Sequence, residues 1–342
     1  MLVSLTKGED RYKNVYESLR LIKQDLSKLD MARNVLIKPN LTATSREEAN
    51  TSIEALKAII DFINEHYNGA FKKELVMMEG SGSAYYEKTT TKSVFERFGY
   101  YDLEREYSNL KVLSIDDETD FYPISIRSIA GNETINISKK AKEFDFKISL
   151  NLPKTHNYAI ATFGIKNMMG LIKQEDKSLV HGLRTPSAPN ANNLIGKIPT
   201  SWISWGRRRV PWLVNTIMSK SIAYIKCMHV IHHNIKIMGQ ELWPDLVVLD
   251  CYYAMEGDGP IDGELIKLGA AVASADPLKA DGLAARLIGF NPEEIGYLYY
   301  MQAEGLGDYS LSDIVGEKFP GVLHRVRPHS TYNVQKNWKE VF

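Results

Sequence analysis

Short apolar runs alternate along this chain with longer stretches whose apolar positions recur every three or four residues, the rhythm of strands alternating with helices. Strand signals lie at Asn34 to Lys38, Leu75 to Met78, Lys111 to Ile115, Phe146 to Leu152, Leu246 to Asp250 and Leu268 to Ser274. Helical spacing covers Lys13 to Leu29, Asn50 to Tyr67, Ser93 to Phe98, Val214 to Met238, Pro277 to Ile288 and Pro292 to Glu304; proline opens the last two at the first turn. Strand, helix, strand in such short order implies a parallel pair with a right-handed crossover. The pattern therefore predicts an α/β fold, an open and mostly parallel sheet flanked by helices. Between Asp116 and Asn132, Ile124, Ile126 and Ile129 suggest an antiparallel excursion. From Lys173 to Pro211 prolines, asparagines and glycines break the rhythm, which predicts a long insertion or lid. The expected organisation is a first α/β half (1–172), an insertion or lid (173–213), a second half completing the same core (214–316) and a tail (317–342).

The run Asn151 to Leu171 sets polar groups into apolar surroundings. Pro153 stops the strand before it, so Lys154, Thr155 and His156 fall at its carboxyl end, where open α/β sheets bind ligands. Ala159 to Ile172 reads as a core helix carrying Thr162, Lys166 and Asn167, with Thr162 and Lys166 on one face. A lysine there needs an anion, a ligand or a route to solvent.

Further candidates follow other strands: Lys38 and Asn40, Glu79, Asp250 with Glu256 and Asp258, and Asp276. Lys38, Lys154 and Lys166 predict an anion-binding floor, and Lys38, Lys154, His156 and Glu256 are expected to line one pocket. Asp250, Glu256 and Asp258 would supply a base or a hard-metal site. Gly257 and Gly259 bend the chain around Asp258, in a ligand-binding turn or an ordinary one. His156 and His181 are the general acid–base candidates, because imidazole titrates near neutral pH. Asp276 precedes Pro277 and reads as a helix cap, which leaves Asp281, inside that helix, as the functional candidate. Glu79 to Ser83 lacks the Walker lysine and the full dinucleotide fingerprint, so a tight turn is expected rather than a phosphate cradle. His229, His232 and His233 have the spacing for two metal ligands, but no carboxylate or cysteine nearby completes a set, and solvated or capped histidines are expected.

Composition narrows the partners. The 342 residues contain 42 Lys+Arg and 42 Asp+Glu, a balance that disfavours general nucleic-acid binding. Two cysteines, Cys227 and Cys251, without paired spacing argue for a reducing compartment and against a cysteine-held iron–sulfur cluster. The amino terminus lacks a signal-peptide core, and no apolar run approaches the ~18 residues of a membrane span, which predicts a cytoplasmic protein. Trp202, Trp205, Arg207, Arg208, Arg209 and Trp212 end the insertion; they either grip a protein partner, an anionic surface or the substrate, or simply pack on the core.

The pattern NLPK-TH followed by G-x-KN-x-x-G, the block Asp245 to Glu264 with Val272 to Gly289, and VLIKPNL at Val35 to Leu41 together resemble the family catalogued as domain of unknown function 362. The resemblance covers about Val35 to Gly307 and implies a fold and a site without an agreed activity. Members often carry ferredoxin-like cysteine modules, which this chain lacks. Two functional classes are expected. One is an enzyme acting on a small anionic metabolite, whose lysines bind a carboxylate or phosphate while His156, His181 or an acidic residue moves a proton. In it Lys166, Glu256 and Asp258 join the catalytic set, and Lys38, Asn40, Lys154, Asn167, Asp250, Gly257, Gly259 and Asp281 the ligand-binding set. The other is a ligand-binding or redox-accessory protein working with a separate iron–sulfur partner. The cofactor is unknown, a divalent metal being one option.

Overall fold

The computed structural model describes residues 1–67, 73–182 and 222–339, with positions 209, 210, 212, 213, 216, 217 and 220 between the last two. Fourteen strands are described: β1 (Val3–Lys7), β2 (Asn34–Lys38), β3 (Glu74–Glu79), β4 (Leu110–Ser114), β5 (Phe121–Ser128), β6 (Gly131–Ser138), β7 (Phe146–Asn151), β8 (Lys154–His156), β9 (Ile160–Thr162), β10 (Leu246–Leu249), β11 (Tyr253–Glu256), β12 (Glu264–Lys267), β13 (Ala270–Ser274) and β14 (Ile314–Gly316). Eight form one sheet in the order β14-β1-β13-β10-β7-β2-β3-β4. Strands β10, β7, β2, β3 and β4 run parallel, while β13 is antiparallel to both its neighbours. A smaller sheet, β12-β11-β8-β9, and the hairpin β5-β6 complete the strands.

Strand periodicity decides which side chains meet which helices. Val35 and Ile37 of β2, with Phe146, Ile148 and Leu150 of β7, enter the apolar cluster built with the helices Arg11–Leu21 and Ile53–His66. Leu36 faces the opposite cluster, which contains the helices Ile222–Glu241 and Pro277–Leu287. The alternate positions of β7 carry polar groups on that second side: Ser149 Oγ donates to Gly164 O at 2.7 Å and Asn151 Nδ2 to Phe163 O at 2.9 Å. The sheet thus grips the next segment through side chains that a wholly apolar strand would lack.

That segment departs from the helix expected over 159–172. The chain forms the hairpin β8-β9, with Lys154 opposite Thr162, before a short helix Gly164–Asn167 and a 3-10 turn Met168–Leu171. Thr162 therefore does not share a helix face with Lys166. Ile160 sits at φ +66, which a helix cannot accommodate, and its N–H is held by Gln335 Oε1 at 2.8 Å. Helix begins only at Gly164, where the backbone presses so closely on β10 that a Cβ would lie 2.8 Å from Val247 Cγ2. Apolar residues on every side gave no period to tell hairpin from helix.

Of the expected insertion, residues 173–182 are described and carry the 3-10 turn Gln174–Asp176 and the helix Lys177–Val180. Trp202, Trp205, Arg207 and Arg208 lie outside the described residues. The tail is packed rather than peripheral: His324 N donates to Leu287 O at 2.7 Å, and Trp338 is buried.

The grip of the sheet on Gly164 has a measurable consequence. Gly164→Ala should lower stability by about 1–3 kcal/mol through overpacking against Val247. Urea unfolding should show a reduced midpoint with an unchanged slope.

Candidate functional site

Four lysine side chains are buried near the carboxyl ends of β2, β3 and β7: Lys38, Lys154, Lys166 and Lys177. Among the described residues one carboxylate, Glu79, forms an ion pair with any of them, through Lys38. Their hydrogen bonds sort the four into different roles. Lys38 Nζ donates to Glu79, to Pro39 O at 2.6 Å and to Asn167 Oδ1 at 3.1 Å. Lys154 Nζ donates to Asn40 Oδ1 at 2.6 Å, Thr42 Oγ1 at 3.0 Å and Ala49 O at 2.9 Å. An ammonium has three N–H donors, so both are saturated by the protein itself. Lys177 Nζ donates to Gly80 O and Ser81 O, which leaves one donor unmet among the described residues. Lys166 has no hydrogen bond or ion pair to any described residue. Burial lowers its pKa from 10.5 to about 7, and the same cause brings Lys177 to about 7. Burial also pulls Lys154 well below its usual value, with the charge of Lys166 adding to the effect.

Asn167 is the hub that sets Lys166 in place. Its Oδ1 accepts from Lys38 and from Asn40 Nδ2 at 3.1 Å, and its Nδ2 donates to Lys38 O, Ser149 Oγ and Leu150 O. Asp281 secures the other end of the short helix, accepting Gly164 N at 2.8 Å and Ile165 N at 3.0 Å. Burial raises that carboxyl to about 7. Asp276 is the N-cap of its own helix, accepting Leu278 N at 2.9 Å. Gly170 closes the motif: a Cβ there would lie 2.6 Å from Lys38 Nζ, so the lysine can pass the backbone only at glycine.

Two imidazoles stand beside Lys166. His156 and His181 stack with centroids 5.8 Å apart and planes 9° from parallel. His156 Nδ1 accepts Tyr158 N at 3.0 Å and Ala159 N at 3.2 Å, which leaves the proton on Nε2. His181 Nδ1 lies 3.1 Å from Lys177 O, a bond that requires the proton on Nδ1 and exposes the lone pair of Nε2. Burial lowers both pKa values, with Lys166 contributing next: His156 falls well below 6.5 and His181 to about 4. Both are neutral at pH 7, with opposite tautomers.

The acidic candidates face elsewhere. Asp250 lies 3.3 Å from Arg11 Nε and accepts Tyr252 N at 3.1 Å, with its pKa raised by burial to about 6. Glu256 accepts Arg327 N at 2.8 Å, on the tail, rather than meeting the lysines as expected. Asp258 accepts Ser330 Oγ at 3.0 Å and lies 3.4 Å from His329 Nε2. Gly257 takes φ +71, and Gly259 N donates to Gly257 O, so the turn around Asp258 is sharp. The backbone N–H groups of Gly80, Ser81 and Gly82 are spent on Glu79 Oε1, Thr91 Oγ1 and Leu41 O, so that turn offers no anion cradle. His232 Nδ1 accepts Tyr297 N, His229 Nδ1 contacts Trp338 O, and His233 stacks on Tyr300 at 4.2 Å. Among the described residues no three His, Cys, Asp or Glu side chains converge as a metal site, and no helix is long and apolar enough to cross a membrane.

Two contributors escaped the sequence. Lys177 lies in the stretch assigned to an insertion, and its only signal was a helical pair with His181 four residues on. His329, whose charge bears on His156, comes from the tail and carried none.

The lysines make stability depend on pH. Lys166 binds a proton in the unfolded chain up to 10.5 but in the folded one only up to about 7, so stability rises with pH across that window. Lys166→Met should keep the fold and remove up to about 1.4 kcal/mol per pH unit of that slope. Denaturant unfolding at several pH values between these limits measures it.

A thylakoid-associated protein of Synechocystis sp. is 25% identical over 274 residues, spanning 80% of this chain and 68% of its own length. The lactate racemase apoprotein from Thermoanaerobacterium thermosaccharolyticum is similar over 83% of this chain and 56% of its own, at 12% identity and a TM-score of 0.47. The family model described as domain of unknown function (DUF362) matches residues 35–286, a span that holds Lys38, Glu79, Lys154, His156, Lys166, Lys177 and His181. The chain belongs to the DUF362 family.

Proposed function

We propose that this chain is an enzyme acting on a small metabolite that bears a carboxylate or phosphate. The observation that carries this reading is Lys166: a buried amino group without a partner among the described residues, beside two neutral imidazoles of opposite tautomer. An anion bound there gains the attraction of Lys166 and of the spare donor on Lys177, while Lys38 and Lys154 add field without giving up their own bonds. His181 Nε2 is the group positioned to accept a proton, and His156 Nε2–H the group positioned to donate a hydrogen bond to developing negative charge. Asn40 and Asn167 orient the lysines, and Asp281 fixes the helix that bears Lys166. Asp258, held by His329 and Ser330, and Glu256, held by Arg327, line the tail side, with Gly257 and Gly259 shaping the turn. Asp250 acts through Arg11 rather than on the ligand. The buried free thiols Cys227 and Cys251 support a reducing, cytoplasmic setting.

A screen of small carboxylates and phosphates by thermal shift tests the reading. A binding anion should need Lys166 charged, so its Kd should be flat below pH ~7 and weaken about tenfold per unit above it. His156→Asn and His181→Asn should retain the anion and lose turnover. Binding that is indifferent to Lys166→Met would overturn the assignment.

A further inference from the structure

Charge is balanced over the whole chain but not along it. Between Asp176 and Glu241 there is no Asp or Glu, while nine Lys or Arg occur, so the remaining sequence carries a net −9. The described part of this stretch also exposes large apolar side chains: Trp212 at 68%, Leu213 at 41%, Ile217 at 50% and Ile222 at 69%. Trp212, Leu213, Thr216 and Ile217 have helical backbone. Arg209, Lys220 and Lys226 in the same stretch are exposed as well. Soluble surfaces rarely gather apolar side chains of this size so closely.

We propose that this face docks the protein on an anionic lipid surface, with the apolar side chains entering the headgroup boundary and the basic ones meeting lipid phosphates. Each half of the pattern selects the partner. Trp, Leu and Ile need an apolar phase, which a nucleic-acid backbone does not provide. The absence of acidic residues over so long a stretch favours a surface of extended negative charge. An indole beside aliphatic side chains and flanking cations is the composition of an interfacial segment lying in the membrane plane.

Flotation of the full chain with phosphatidylcholine vesicles, with and without phosphatidylglycerol, tests this. The protein should float with the phosphatidylglycerol vesicles alone and be released by raised salt. Arg209→Glu should weaken binding at least fivefold, from the roughly fivefold per basic residue expected near an anionic surface. Ile217→Glu and Trp212→Glu should weaken it more than tenfold. All three residues are exposed, so melting temperatures should not change. Absence of flotation, equal flotation with neutral vesicles, or binding unaffected by all three variants would overturn the proposal. So would self-association in sedimentation that the variants abolish, or retention on single-stranded nucleic acid that phosphatidylglycerol vesicles fail to displace.

Discussion

The structure depends on holding positive charge away from water. Lys38 and Lys154 are fully buried and Lys177 and Lys166 nearly so, against a single ion-paired carboxylate among the described residues, Glu79. Desolvating an ammonium is costly unless its donors are met. Among the described residues Lys38 and Lys154 meet all three donors with protein oxygens, Lys177 meets two, and Lys166 meets none. The cost is therefore concentrated on one side chain. A protein that stored such an expense for stability alone would do better with methionine there, so the lysine points to a ligand that relieves it.

The surrounding fold supplies the rigidity that this arrangement needs. Ser149, Asn151 and Asn167 join the polar face of β7 to the short helix, and Asp281 reaches across from Pro277–Leu287 to hold its first two N–H groups. Gly164 and Gly170 permit the close approach that these bonds require. The G-x-KN-x-x-G motif is in this sense mostly structural. Its glycines and asparagine build the seat, and Lys166 occupies it.

Much of the fold was legible because β2, β3, β7 and β10 are apolar runs that end in polar residues, and the helices between them keep a clear period. The carboxyl-end rule then placed Lys38, Lys154 and His156 together. The hairpin β8-β9 was hidden because both its faces are buried, so its residues show neither strand nor helix period. Saturation of Lys38 and Lys154 was equally invisible, since their acceptors Pro39 O and Ala49 O are backbone atoms whose direction no residue name reveals. Glu256 looked like a pocket residue because it follows the strand Leu246 to Asp250, yet the tail captures its carboxylate through Arg327. Long-range pairing of that kind has no local signal.

The central proposal is that Lys166, which has no partner among the described residues, binds an anion. Nuclear magnetic resonance titration of the lysine amino groups, with the Lys166 signal assigned from its absence in Lys166→Met, measures this directly. The account predicts titration near pH 7 in the free protein and a clear rise when inorganic phosphate or a small carboxylate binds. A value near 10.5 in the free protein, unmoved by any such anion, would show that the charge already has a partner and would contradict the account.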